Sequence, residues 1–77
     1  MKKIQILGPG CRRCHTLAET ATIAAKELGL PYELEHITDI SRYAEFGVMF
    51  TPALVVDGTL KVAGRLPSVA EIKKMLV

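Results

Sequence analysis

Two cysteines, Cys11 and Cys14, are the only thiols in this 77-residue chain, and Arg12 and Arg13 separate them. That spacing lets two sulfurs close a small disulfide ring. Their position adds a second constraint. They follow an apolar run, Ile4-Gln5-Ile6-Leu7, and a Gly8-Pro9-Gly10 turn, where a strand hands over to a helix. A thiol at a helix start faces unpaired backbone N–H groups and the positive end of the helix dipole, which stabilise its thiolate. The thiolate is the attacking species in disulfide exchange. Residue type, spacing and position together imply a redox-active dithiol.

The two sulfurs are not equivalent. Cys11 is nearer the loop and the first helical N–H groups, so it reads as the attacking nucleophile. Cys14 lies one turn in and begins the helix's apolar face, which fits a resolving thiol that attacks the mixed disulfide. Arg12 and Arg13 add positive charge that lowers the Cys11 pKa from about 8.5 toward the roughly 3.5–7.5 range of activated thiols. Basic side chains at a helix N-terminus also cost helix stability. A purely structural Cys11–Cys14 disulfide closes so short a loop that it contributes only about 2 kcal/mol. The alternative reading is a small metal carrier for zinc or copper, with Cys11, Cys14, His15 and His36 as soft donors; structural zinc wants four converging groups. His15 otherwise reads as a solvated first-turn residue and His36 as a structural strand residue.

The surrounding elements follow from periodicity and punctuation. Residues 3–7 form a short buried strand. From 12 to 28, Cys14, Leu17, Ala18, Ala21, Ala25 and Leu28 recur at three- and four-residue steps, which predicts a helix stopped by Gly29 and Pro31. Residues 32–37 alternate as a second strand. Thr38 or Asp39 caps a short helix carrying Ile40, Tyr43 and Ala44 and ended by Gly47. Residues 53–56 are a third strand, and Asp57-Gly58 marks a two-residue type I′ turn into a fourth, 60–63. Ser68 to Glu71 matches a capping box before a last helix with Val69, Ile72, Met75 and Leu76 on its buried stripe. Tyr43 reads as a core residue and Met49 and Phe50 as packing residues, although an exposed Phe50 beside Thr51-Pro52 would form part of a substrate groove. The order β-α-β-α-β-β-α predicts an α/β fold with a four-stranded mixed sheet and helices on both faces. Each β-α-β step favours parallel pairing, and the hairpin adds antiparallel strands. The cysteines then fall at the carboxyl end of the first strand, where open α/β sheets place their sites.

Composition narrows the class. The formal net charge is +2 with both signs interspersed, and no long basic run suggests a nucleic-acid partner. No apolar run is long enough to span a membrane. Lys2-Lys3 before Ile4 to Leu7 is too short to read as a secretory signal. A single cytoplasmic domain, 1–77, is the expectation, and in that compartment two cysteines are redox groups or metal ligands. Without Trp, and with 5% aromatic residues, the core should be aliphatic.

Cys11-x-x-Cys14 after the first strand, Thr51-Pro52 opening the third, and Asp57-Gly58 then Gly64 around the hairpin resemble the small thioredoxin/glutaredoxin-like redox disulfide proteins of archaea and bacteria. The resemblance covers essentially the whole chain. It implies a thioredoxin-like fold and a thiol–disulfide oxidoreductase that needs no cofactor. It also implies disulfide-containing proteins or small thiols as substrates, and a thioredoxin-reductase-like electron donor. In that family the proline is cis and packs beside the dithiol, and the preceding residue's backbone pairs with substrate, which assigns Pro52 and Thr51. Gly10 and Gly64 take structural places near the site. The chain departs from many thioredoxins in having Gly10 in place of Trp and Arg12-Arg13 in place of Gly-Pro. Gln5 stands where a buried, proton-relaying Asp would be and cannot titrate, a glutaredoxin-like trait that leaves proton transfer to water or another group. Ferredoxin-like metallochaperones also carry CxxC after their first strand, but usually with Met where this chain has Pro9, and they end in a strand.

Overall fold

The computed structural model describes residues 1–10 and 12–77. The elements are β1 (Lys2–Leu7), α1 (Arg12–Leu28), β2 (Tyr32–Ile37), a 3₁₀ segment (Ile40–Phe46), β3 (Ala53–Val56), β4 (Thr59–Ala63) and α2 (Val69–Leu76). They form one four-stranded mixed sheet in the order β2-β1-β3-β4. β1 and β2 run parallel, with Leu7 opposite Ile37, joined through α1.

Each helix end has a local cause. On α1, Leu17, Ala21, Ala24 and Ala25 are fully buried and recur on one face. Past its end, the Leu30 N–H bonds the Ala25 carbonyl at 3.2 Å and the Gly29 N–H bonds that of Lys26 at 3.1 Å, a pattern that closes helix C-termini. α2 has only eight residues, too few to hold a helix alone. Its capping box is complete, with the Ser68 hydroxyl accepting from the Glu71 N–H and the Glu71 carboxylate from the Ser68 N–H. Ile72 and Leu76 bury the other side.

The sheet separates two apolar layers. On one face Ile4, Ile6, Leu54, Val56 and Val62 meet α1 and α2. On the other, Leu7, Ile37, Ala53, Val55 and Val48 are covered by the 3₁₀ segment through Tyr43 and Phe46. Asp39 caps that segment, its carboxylate accepting from the Ser41 N–H at 3.0 Å.

One expectation is corrected. The second β-α-β step does not give a parallel strand: β3 runs antiparallel to β1, with Leu7 opposite Ala53 and Ile4 opposite Val56. The reason is geometric. The chain leaves β2 at the carboxyl end of β1, and the Ile40–Phe46 segment packs across the sheet face there without carrying it back to the far edge. β3 therefore starts beside the end of β1. Asp57 and Gly58, with φ of +50° and +82°, then turn β3 into antiparallel β4. The consequence for function is direct, because the end of β1, the start of β3 and the end of β4 all lie at one edge of the sheet.

Candidate active site

Three segments converge at that edge. Gly8 prolongs the β1–β2 pairing by donating its N–H to the Ile37 carbonyl at 3.0 Å. Cys14, the third residue of α1, is fully buried. Its sulfur occupies the space that a β-carbon on Gly8 would fill, and from that same position the Cys14 Cβ is 3.4 Å away and the Pro52 Cα 3.9 Å. Gly8, Cys14 and Pro52 are thus packed on one another. The Thr51–Pro52 peptide bond is cis. Pro52 is buried and Thr51 half-buried, and no backbone hydrogen bond from the described residues reaches Thr51. The attacking role expected of Cys11 falls on a residue outside the described ones.

The end of β4 fastens this arrangement. The Gly64 N–H donates to the Pro52 carbonyl at 2.9 Å. Gly64 has φ of +80°, and a β-carbon there would meet the Phe50 Cβ at 3.0 Å, so both conformation and space favour glycine. Arg13 Nη2 donates to the Gly64 carbonyl at 3.3 Å. The first turn of α1, the Thr51–Pro52 loop and the end of β4 are therefore joined through one residue. Gly10 sits in the exposed turn before the helix with φ of +88°.

Arg12 and Arg13 are both exposed, and among the described residues neither is paired with a carboxylate, whereas Arg42 and Arg65 are. The position that reads as a proton relay in thioredoxins holds no relay here. Gln5 is buried and donates from Nε2 to Glu35 Oε1 at 2.9 Å. That bond, helped by the charges of Arg42 and Lys3, holds the Glu35 carboxyl below its ordinary pKa. Glu35 is thus kept as an acceptor for the Gln5 amide.

His15 is exposed and stands edge-to-face with His36, ring centroids 5.9 Å apart. Among the described residues no group of three or more His, Cys, Asp or Glu side chains gathers as a metal site would require. Met49 and Phe50 are 86% and 67% exposed, so the packing reading fails for both and Phe50 takes the alternative, an exposed place beside Thr51-Pro52. Val48 already fills the adjoining layer under the 3₁₀ segment, so the next two side chains are left outside. They border the Thr51–Pro52 loop as an apolar rim.

Gly8 is the site residue that sequence reasoning missed. It reads there as one member of a Gly-Pro-Gly turn, and it does open that turn, but its N–H also extends the strand pairing to the Ile37 carbonyl. The available signal was a glycine closing an apolar strand, which often marks close approach by another part of the chain.

Comparison with known proteins adds an independent line. The thioredoxin domain family model matches residues 2–77. A thioredoxin of Methanothermobacter thermautotrophicus is 47% identical over 76 residues, spanning 99% of this chain and 99% of the relative. A thioredoxin of Methanocaldococcus jannaschii is 38% identical over 76 residues, spanning 99% of this chain and 87% of the relative.

Proposed function

The chain belongs to the thioredoxin domain family and is a thiol–disulfide oxidoreductase; from that premise we propose that Cys11 attacks and Cys14 resolves, beside a substrate platform formed by Thr51 and Pro52. The observation that carries this reading is the buried Cys14 sulfur at the start of α1, packed against Gly8 and beside the Thr51–Pro52 loop.

The steps balance without a cofactor. The Cys11 thiolate attacks one sulfur of a substrate disulfide, forming a mixed disulfide and expelling the other sulfur as a thiolate. That thiolate takes up the proton that Cys14 loses. The Cys14 thiolate then attacks the Cys11 sulfur, releasing the second substrate thiolate, which is protonated by water. Two electrons have passed from the dithiol to the substrate. A reductase in turn returns two electrons to Cys11–Cys14. Helix-start N–H groups and the positive dipole end stabilise thiolate in this position. Because Gln5 cannot accept a proton, no buried carboxylate at that position takes part.

The surroundings also suggest the substrates. Exposed Met49 and Phe50 offer apolar contact, and Arg12 and Arg13 offer positive charge without a carboxylate of their own among the described residues. We read the partners as disulfide-bearing proteins whose flanking residues are apolar and acidic, met in the cytoplasm. No helix among the described residues is long and apolar enough to cross a membrane.

The test is turnover of a model disulfide with a chemical reductant. Cys11→Ser should abolish activity, and Cys14→Ser should accumulate a mixed disulfide on Cys11, read by mass spectrometry. Retained turnover in Cys11→Ser, with the adduct on Cys14, would reverse the assignment.

A further inference from the structure

Resting on the dithiol reading above, we infer that Gly8 is a positioning residue whose missing side chain leaves the space that holds the Cys14 sulfur in line for the resolving step. Among the described glycines, Gly8 leaves the least room for a side chain: a β-carbon there would overlap the Cys14 sulfur outright. The glycine is not required by backbone conformation, since Gly8 is absent from the residues with positive φ. What it supplies is room.

Neither partner can yield easily. Gly8 is buried and held by its hydrogen bond to the Ile37 carbonyl, and the preceding Leu7 is paired on both sides, with Ile37 and with Ala53. Cys14 is anchored by α1, whose next inward residue, Leu17, lies in the core. A methyl group on Gly8 therefore leaves the Cys14 sulfur one way out, rotation about χ1 to another staggered well, and in a helix one of the three wells is already disfavoured. That rotation moves the reacting atom while leaving the rest of the fold in place. Misplacing a reacting atom by about 1 Å can slow a step on the order of 10²-fold.

The two half-reactions separate the effect. When the reduced protein meets a symmetrical aryl disulfide, attack by Cys11 expels one coloured aryl thiolate and leaves Cys11 joined to the other aryl sulfur. Attack by the Cys14 thiolate on the Cys11 sulfur forms Cys11–Cys14 and expels the second. The absorbance trace thus has two phases, one for each cysteine.

Stopped-flow measurement of Gly8→Ala should show the first phase at the wild-type rate and the second slowed on the order of 10²-fold. An unchanged second phase, or both phases slowed by the same factor, overturns the proposal. Thermal melting gives a check independent of turnover. Gly8→Ala should lower the melting temperature when Cys14 is present and leave it unchanged in a Cys14→Ala background, where the remaining neighbours lie at ordinary contact distances of 3.4 and 3.9 Å. If Gly8→Ala alone fails to fold, the double variant decides: restored folding supports the proposal, and continued failure refutes it. A wild-type protein releasing only one thiolate would sink the dithiol reading itself, and that is seen before any variant is made.

Discussion

At the scale of single residues, the CxxC interior distinguishes this chain from thioredoxins with Gly-Pro between their cysteines. Arg12 and Arg13 are both exposed, but only Arg13 has a described contact, from its guanidinium to the Gly64 carbonyl. That bond places its charge at the joint between α1 and the Pro52 loop. Arg12 has no carboxylate partner among the described residues. On the proposed mechanism both arginines favour thiolate over thiol, which would stabilise the reduced protein and make the couple more oxidising. Arg12→Gln/Arg13→Gln should therefore raise the reactive thiol's pKa and make the couple more reducing. Exposed charge pairs change an equilibrium by at most about fivefold each, and salt screens them. Alkylation rate against pH, at low and high ionic strength, should show a pKa rise that shrinks with salt. The same variant should lose a roughly 2- to 30-fold preference, present at low salt, for disulfide peptides flanked by acidic over basic residues. Identical profiles and identical peptide preference would mean that neither guanidinium reaches thiolate or substrate.

At the scale of elements, the hairpin turn also clamps the far end of β1. The Lys3 N–H donates to Asp57 Oδ1 at 2.9 Å, the Asp57 N–H returns a bond to the Lys3 carbonyl at 2.8 Å, and Lys2 Nζ lies 3.3 Å from Oδ2. The Lys3 N–H, with the lysine charge, holds the Asp57 carboxyl below its ordinary pKa. Glu71 is lowered by the Ser68 N–H and by Arg65, Asp39 by Ser41, and Glu35 by Gln5. A carboxyl with a depressed folded pKa stabilises the fold above its unfolded pKa, and that stability is lost as pH falls through the folded value. The melting temperature should accordingly be flat from neutrality to about pH 5 and fall below about pH 4. Asp57→Asn, which keeps an acceptor and tolerates positive φ, should remove part of that acid dependence while leaving redox turnover intact. A melting temperature constant down to pH 3 would refute the assignment. Most elements were legible because their signals are local: the α1 stripe, the Ser68 capping box and the Asp57-Gly58 turn each depend on residues within a few positions. The direction of β3 was not, because it depends on where the Ile40–Phe46 segment packs. Ala24 shows the same limit, being fully buried although the three- and four-residue stripe passed over it. At the site, the CxxC was legible from its spacing and Thr51-Pro52 through the resemblance to thioredoxin-like proteins, whereas Gly8 meets Cys14, six positions away, and only the folded packing shows the contact.

At the scale of the whole molecule, the two faces of the sheet are unequally protected. Among the described residues, eleven buried ones form the layer between the sheet and α1 and α2, against five in the layer under the 3₁₀ segment, so the second face has less apolar contact to lose on opening. At 77 residues, a folded chain has about 4–12 kcal/mol of total stability. Ile72→Ala removes a fully buried side chain from the larger layer and should cost about 2–5 kcal/mol, lowering the global melting temperature. Val48→Ala acts on the thinner layer, in the loop that continues into Met49, Phe50 and Thr51. Regions with few buried contacts open locally at less than the global free energy. Native-state amide exchange should then find β1 and β3 slowest and residues 40–47 fastest among the packed segments. Val48→Ala should accelerate exchange in 40–52 while leaving β1 and the α1 core unchanged, whereas Ile72→Ala should accelerate all of them together. Such a division would let the Met49–Thr51 rim adjust to different partners while Gly8 and Cys14 stay fixed on the better-packed side. Exchange in 40–52 as slow as in β1 would instead mean that the substrate rim is as rigid as the dithiol scaffold, and selectivity would then rest on fixed shape and charge.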